Sequence, residues 1–172
     1  MGQYSSISTV FQPSKPLPPD TIIKAGYSPF PLMLYGLNIP VNISTASIFR
    51  QPNNPSPLPL KTISVMAHFD TGASITSIDI EIAKYLGLIP VGQSPSQTAA
   101  GIQIMPNYVI DISFPNTQLS SLKNLPIGSA KLNFKHGATN DPKNMGLLIG
   151  RNIMALWNIV WNGPTSSVFI SD

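Results

Sequence analysis

Eleven of the chain's eighteen prolines fall before residue 60, eight of them in Pro13-Ser14-Lys15-Pro16-Leu17-Pro18-Pro19 and Pro52-Asn53-Asn54-Pro55-Ser56-Pro57-Leu58-Pro59. Proline has no backbone N–H and holds φ near about −65°, so these stretches are barred from helix interiors and central strands and favour extended backbone. They mark residues 1–25 as an N-terminal arm ahead of a single domain over 26–172, and residues 51–59 as a long loop. Between them, residues 32–37 and 41–49 carry β-branched and apolar residues in the partial alternation of strands.

From residue 60 the pattern sharpens. Residues 61–69 alternate into a strand that delivers Asp70 to its end. Ile78, Ile82 and Leu86 then recur at helical spacing, with Ser77 or Asp79 as cap, Glu81 in the first turn and Gly87 at the C-terminus, which predicts a helix of about two and a half turns. Residues 92–101 are polar and read as a loop. Residues 102–114 are of β type but interrupted by Pro106-Asn107, and 118–135 hold further strands. Arg151 to Trp157 reads as a short helix with Ile153, Met154 and Trp157 inward, then a strand to Trp161, a turn at Asn162-Gly163-Pro164 and a last strand over 166–170. Trp157 and Trp161 read as core residues. Short strands with two helices predict a mainly β, closed domain.

Charged residues make up only 10% of the chain, against a usual share of about 25%, so the surface is polar but sparsely charged. The net charge of +3 arises from ten bases against seven acids, and the pI near 9.3 reflects scarce carboxylates more than a basic patch. Lys123, Lys131, Lys135, His136 and Lys143 are spread over about twenty residues with no regular aromatic interleaving and read as a solvated face, so no nucleic-acid partner is expected. The absence of cysteine removes disulfides, thiolate nucleophiles and sulfur-ligated metals. Two distant histidines without His-Glu-x-x-His or paired-Asp spacing give no metal centre, and no phosphate-binding glycine loop or Gly-x-Ser-x-Gly elbow appears, so no cofactor is expected. No stretch approaches the about 18 apolar residues of a membrane span, and the N-terminus lacks a signal-peptide pattern, although Gly2 and Ser6 formally fit a myristoylation pattern. A cytoplasmic protein is expected.

Two segments carry the chemistry. Ala67-His68-Phe69-Asp70-Thr71-Gly72-Ala73 is an apolar strand running into a tight turn that presents one carboxylate, and Leu147-Leu148-Ile149-Gly150-Arg151-Asn152-Ile153-Met154 is an apolar strand, a glycine and a short helix. Alone, Asp-Thr-Gly is a common turn and apolar-apolar-Gly a common strand ending. Their order and separation make the pair informative. Phe69-Asp70-Thr71-Gly72-Ala73-Ser74 and Leu148-Ile149-Gly150-Arg151-Asn152-Ile153 resemble the active-site loop and the Gly-Arg-Asn/Asp helix of retropepsin-type (retroviral) aspartic proteases. The closer likeness is to bacterial single-domain members, where a helix like residues 78–88 follows the loop and the end resembles Trp161-Asn162-Gly163-Pro164 with Phe169.

The resemblance covers roughly residues 30–172. It implies an acid-protease β-barrel, a homodimer, and a flap closing over an extended peptide or protein substrate. With 172 residues and one such motif, the chain is too short for two homologous lobes, so the second carboxylate has to come from a second subunit. By motif position, Asp70, Thr71 and Gly72 are the catalytic loop, and Ile149, Gly150, Arg151 and Asn152 its support. His68, Ala73 and the flap residues Ala99, Ala100 and Gly101 would contact substrate, with Gln97 to Gly101 as flap tip. Thr71 is expected to hold the loop through its hydroxyl. Ser74 stands where retroviral members carry a second Asp, leaving Asp79, Asp141 or nothing to pair with Arg151. His68 replaces the usual aliphatic residue. It shares strand parity with Asp70, which suits either a substrate subsite with its own pH dependence or an imidazole tolerated at a strand end. The implied activity is an aspartic endopeptidase. Its rival is a dimeric peptide-binding or scaffold module of the same fold with little turnover.

Overall fold

Strand β2 (Asn38–Thr45) turns Ile39, Val41 and Ile43 into the interior, each fully buried, while the alternate residues face outward. Burying an isoleucine contributes about 1.5–3 kcal/mol, and the same period-two pattern recurs in β3 (Thr62–Phe69) and β6 (Gly101–Ser113). The computed structural model describes residues 9–11, 36–51, 53–54, 57–98, 101–132, 134–135, 144–162 and 167–172. The remaining strands are β1 (Thr9–Phe11), β4 (Ser77–Asp79), β5 (Gly92–Thr98), β7 (Leu122–Ala130), β8 (Met145–Ile149), β9 (Asn158–Asn162) and β10 (Ser167–Ser171). The α-helices are α1 (Ile80–Leu86) and α2 (Arg151–Met154).

Hydrogen bonding runs β2-β3-β8-β4-β7-β6, and β6 pairs back onto β2, so six strands close a barrel. β3–β8 and β4–β7 are parallel, and the other barrel pairs are antiparallel. The mainly β, closed architecture with one helix after the Asp70 loop and one near the C-terminus is as expected. A smaller sheet, β1-β10-β9, sends Val168 and Ile170 of β10 into the core.

β6 belongs to two structures. Its second half closes the barrel, and its first half pairs with β5 alone in a hairpin whose register, from Gly92↔Asn107 to Thr98↔Gly101, encloses positions 99 and 100 at the tip. Residues 92–98, expected as a loop, are therefore a strand. β5 is an edge with polar residues on both faces, so it lacks the alternation that marks a half-buried strand, and Pro95 is tolerated there because an edge leaves N–H groups unpaired. Pro106 does not interrupt β6. It sits where the hairpin joins the barrel, its carbonyl accepting from Ser129 Oγ at 2.7 Å.

Other boundaries also differ. The strand expected over 41–49 stops at Thr45 and gives way to a 3-10 helix, Ser47–Arg50, because the Ser47 and Ile48 N–H groups bond to Asp111 Oδ2 and Asn124 Oδ1 instead of a neighbouring strand. Asp111 is buried and also accepts from Asn124 N at 2.8 Å and Arg50 Nη2 at 3.2 Å, with Lys123 Nζ at 3.6 Å. Burial pushes its carboxyl up, and those bonds and charges more than reverse the effect, leaving it below the ordinary carboxylate value. Ile78, counted toward the helix, lies in β4. The helix begins two residues later, capped by Asp79 Oδ1 accepting from Glu81 N, and ends at Gly87 in the left-handed region with φ 67°. Trp157 is buried against Phe69 and Phe114, but Trp161 is half exposed because β9 is the edge of its sheet among the described residues. The strand expected over 32–37 falls partly outside the described residues, and Gly36 and Leu37 precede β2 unpaired into a sheet.

Candidate active site

β8 lies between β3 and β4 in the sheet, so residues 70–76, which connect β3 to β4, must cross over the end of β8. Gly150 sits under that crossing. A Cβ there would lie 2.6 Å from the backbone carbon of Ile75 and 2.8 Å from Thr76 N, closer than any side chain can approach, so the passage of one backbone over another requires glycine.

The two segments are stitched together along the crossing. Asp70 N donates to Ile149 O (3.0 Å), Arg151 N to Ala73 O (2.9 Å) and Asn152 N to Ser74 O (3.2 Å). Thr76, fully buried, is the hub. Its Oγ1 accepts from Gly150 N at 3.0 Å and donates to Asn152 Oδ1 at 2.9 Å, and its N–H donates to the same Asn152 oxygen at 2.8 Å. Arg151 reaches back to the loop through Nη1 to Thr71 O (2.6 Å) and Nη2 to Ser74 Oγ (2.7 Å). The four supporting residues expected from the second motif therefore all meet the Asp70 segment.

Of the alternatives left open for Arg151, Asp79, Asp141 or nothing, the described residues leave no carboxylate beside it. Asp79 is committed elsewhere, to the cap of α1 and to Leu132 N at 2.7 Å and Phe134 N at 3.4 Å; Asp141 is outside the described residues; Ser74 itself accepts from the guanidinium. Arg151 consequently forms no ion pair among the described residues.

Asp70 is half-buried at the crest of this loop. Its Oδ1 accepts from Gly72 N at 2.7 Å, its carbonyl accepts from Ala73 N at 3.1 Å, and Oδ2 has no hydrogen-bond partner among the described residues. Gly72 lets the carboxylate fold down onto the turn, since a Cβ there would meet Oδ1 at 3.0 Å. Thr71 contributes its carbonyl to the loop's support, and its exposed hydroxyl has no partner among the described residues. The arrangement is a rigidly held, solvent-facing carboxylate with one oxygen fixed and one available, suited to general acid–base work.

Ala67 and Phe69 point into the core, so His68 and Asp70 share the opposite side of β3. His68 Nδ1 lies 3.0 Å from Asn38 Oδ1, and burial lowers its pKa below the ordinary 6.5, partly offset by the charge of Asp70. Ala99 and Ala100 are outside the described residues, while Gly101 opens β6 at the hairpin tip with φ 106°. No three His, Asp or Glu side chains cluster as a metal site would require among the described residues. No helix among them is long and apolar enough to cross a membrane.

Sequence reasoning missed Thr76, Asn38 and Gly36. Thr76 had one available signal, a hydroxyl buried between the Asp70 loop and the next apolar position; Asn38 and Gly36 had none, since their role depends on the β2–β3 register.

The chain matches no protein-family model and no curated protein. Among solved structures it is similar to a retropepsin-like aspartic protease from Rickettsia conorii, with 15% identity over 78% of this chain and 91% of that one and a TM-score of 0.39. The functional reading rests on the residues and geometry above.

Proposed function

We propose that the chain is a retropepsin-type aspartic endopeptidase that works as a homodimer, with Asp70 of each subunit beside the twofold axis. The observation that carries this reading is the crossing itself: a carboxylate with a free oxygen, held at 2.7 Å by Gly72 N, on a loop pinned at both ends to the Gly150-Arg151-Asn152 segment. A mere turn has no use for a buried Thr76 hub and a glycine-only passage beneath it.

Two carboxylates about 3 Å apart cannot comfortably both ionise, so they share one proton and titrate as a pair. The ionised Asp70 takes a proton from a water held between them as the water oxygen bonds to the scissile carbonyl carbon. The protonated Asp70 of the other subunit gives its proton to the carbonyl oxygen. As the tetrahedral intermediate collapses, the C–N bond breaks, the amine leaves with a proton from the pair, and a gem-diol hydroxyl gives its proton back to the pair as the carbonyl re-forms, which restores the shared proton. The exposed Thr71 hydroxyl is available to the second subunit. The β5–β6 hairpin, with Gln97 to Gly101 at its tip and Ile102 and Ile104 exposed, would be the flap, pairing with an extended substrate through backbone hydrogen bonds.

The test compares wild type with Asp70→Asn on a mixed peptide library from pH 4 to 8, recording oligomeric state in the same samples. Cleavage by a dimer that vanishes in the variant is the expected result. A well-folded dimer that binds peptides without cleaving them would replace this reading with a binding module.

A further inference from the structure

The imidazole of His68 is held on three sides. In the sheet it lies between Asn38 of β2 and Leu148 of β8, its register partners, and all three are half-buried on the side of the sheet away from the core. Gly36, with φ 64°, closes the remaining side, where a Cβ would stand 2.7 Å from the imidazole Cε1. Because Asn38 Oδ1 accepts at Nδ1, the neutral ring carries its proton there and leaves Nε2 as an acceptor. A ring merely tolerated at a strand end needs neither a fixed tautomer nor a glycine cut to its outline.

Two residues along a strand span roughly 7 Å, too far for His68 to bond Asp70 but equal to the repeat of same-side side chains in an extended peptide. A substrate whose scissile bond lies at Asp70 therefore presents a neighbouring side chain to the imidazole. We propose that His68 is the specificity-determining residue for the substrate side chain beside the scissile bond, accepting a hydrogen bond from a polar side chain through Nε2 when neutral and pairing with a carboxylate when protonated. This deepens the peptidase reading and rests on it.

The neighbours of His68 leave the switch to the ring itself. Asn38, Gly36 and Leu148 do not titrate, and Asp70 on its own strand is the charged group acting on it among the described residues. Burial lowers the imidazole below its ordinary 6.5, partly offset by Asp70, and a glutamate side chain ionises above about 4.3, so the carboxylate preference belongs to mildly acid pH.

The experiment uses three peptides identical except for Leu, Gln or Glu beside the scissile bond, with kcat/KM measured from pH 4.5 to 7.5 for wild type and His68→Leu. The expected wild-type result is a Glu-over-Leu ratio rising about tenfold from pH 7 to pH 5, the scale of one charge-assisted hydrogen bond, and a flat ratio in His68→Leu. A second readout does not need turnover. In the Asp70→Asn chain, the imidazole proton resonance that is missing from a His68→Gln spectrum is titrated with each peptide. Its midpoint should rise with the Glu peptide and stay put with the Leu peptide. An unmoved midpoint, or the same ratio profile in His68→Leu, overturns the inference. A moving midpoint in a protein whose wild type cleaves nothing supports the inference about His68 and overturns the peptidase reading instead.

Discussion

The crossing at residues 70–76 and the hairpin of β5 with the first half of β6 are held in opposite ways. At the crossing, backbone, hydroxyl, amide and guanidinium groups from two segments some eighty positions apart bond each other over a few residues, around a fully buried Thr76. Among the described residues the hairpin has a neighbour on one side of each strand, with polar residues on β5 and Ile102 and Ile104 exposed by more than half. Few buried apolar contacts and exposed ladder bonds are the marks of a segment that opens at low cost. Under the proposed reading the contrast is that of a fixed floor and a moving cover, and each half of it can be attacked.

The largest expected effect is at Gly150. Alanine there forces two backbones apart, and Gly150→Ala should lose about 3 kcal/mol or more in urea unfolding while abolishing any activity that depends on Asp70. A comparably stable variant would mean that the crossing is not tightly packed.

Acid should discriminate between regions. The bonds that join the two segments at the crossing involve no carboxylate, whereas Asp111 fastens Ser47–Arg50 to the barrel through one. Its folded pKa is depressed, so its stabilisation is fully present above the ordinary value of 3.8 and is lost as pH falls through the lower folded value. Removing it as Asp111→Ala should cost about 1–3 kcal/mol at neutral pH, because the Ser47 and Asn124 N–H groups then lose their acceptor. Thermal unfolding from pH 6 to pH 2.5 should fall more steeply in wild type than in the variant, and parallel curves would remove Asp111 from the account.

Thr76→Val keeps shape and deletes the hub hydroxyl, leaving Gly150 N without its acceptor. It should cost about 1–3 kcal/mol by chemical denaturation and lower peptidase activity, whereas a change of a few tenths would show that Asn152 alone suffices. The smallest effect on stability is expected for the double change Ile102→Ser with Ile104→Ser, within about 0.5 kcal/mol, since both side chains are already exposed. Its effect should appear instead as a raised KM; an unchanged KM would detach the hairpin from substrate.

What the sequence disclosed follows the same division. The two motif segments were legible because their residues are local and specific: a carboxylate after an apolar strand, a glycine between an apolar strand and a short helix, caps at Asp79 and Gly87 around α1; the crossing that joins them was not. The pairing of Thr76 with Asn152 was not, because either residue alone is an ordinary polar side chain and their meeting is made by strand order. Ile78 misled because a buried strand residue placed four before Ile82 satisfies helical spacing as well as a helix does. β5 was hidden for the opposite reason: an edge strand exposed on both faces owes its conformation to its partner and leaves no period in its own residues. Trp161 was expected inside, but among the described residues β9 has a neighbour on one side only.

The threading of β8 beneath the loop also sets an order of assembly. Asp70 precedes by about eighty residues the segment it rests on, which pairs between β3 and β4. Contacts so distant in sequence form late and slowly. A chain ending before Ile149 therefore has the carboxylate without its seat, and under the proposed reading its peptidase activity requires the segment from Ile149 onward.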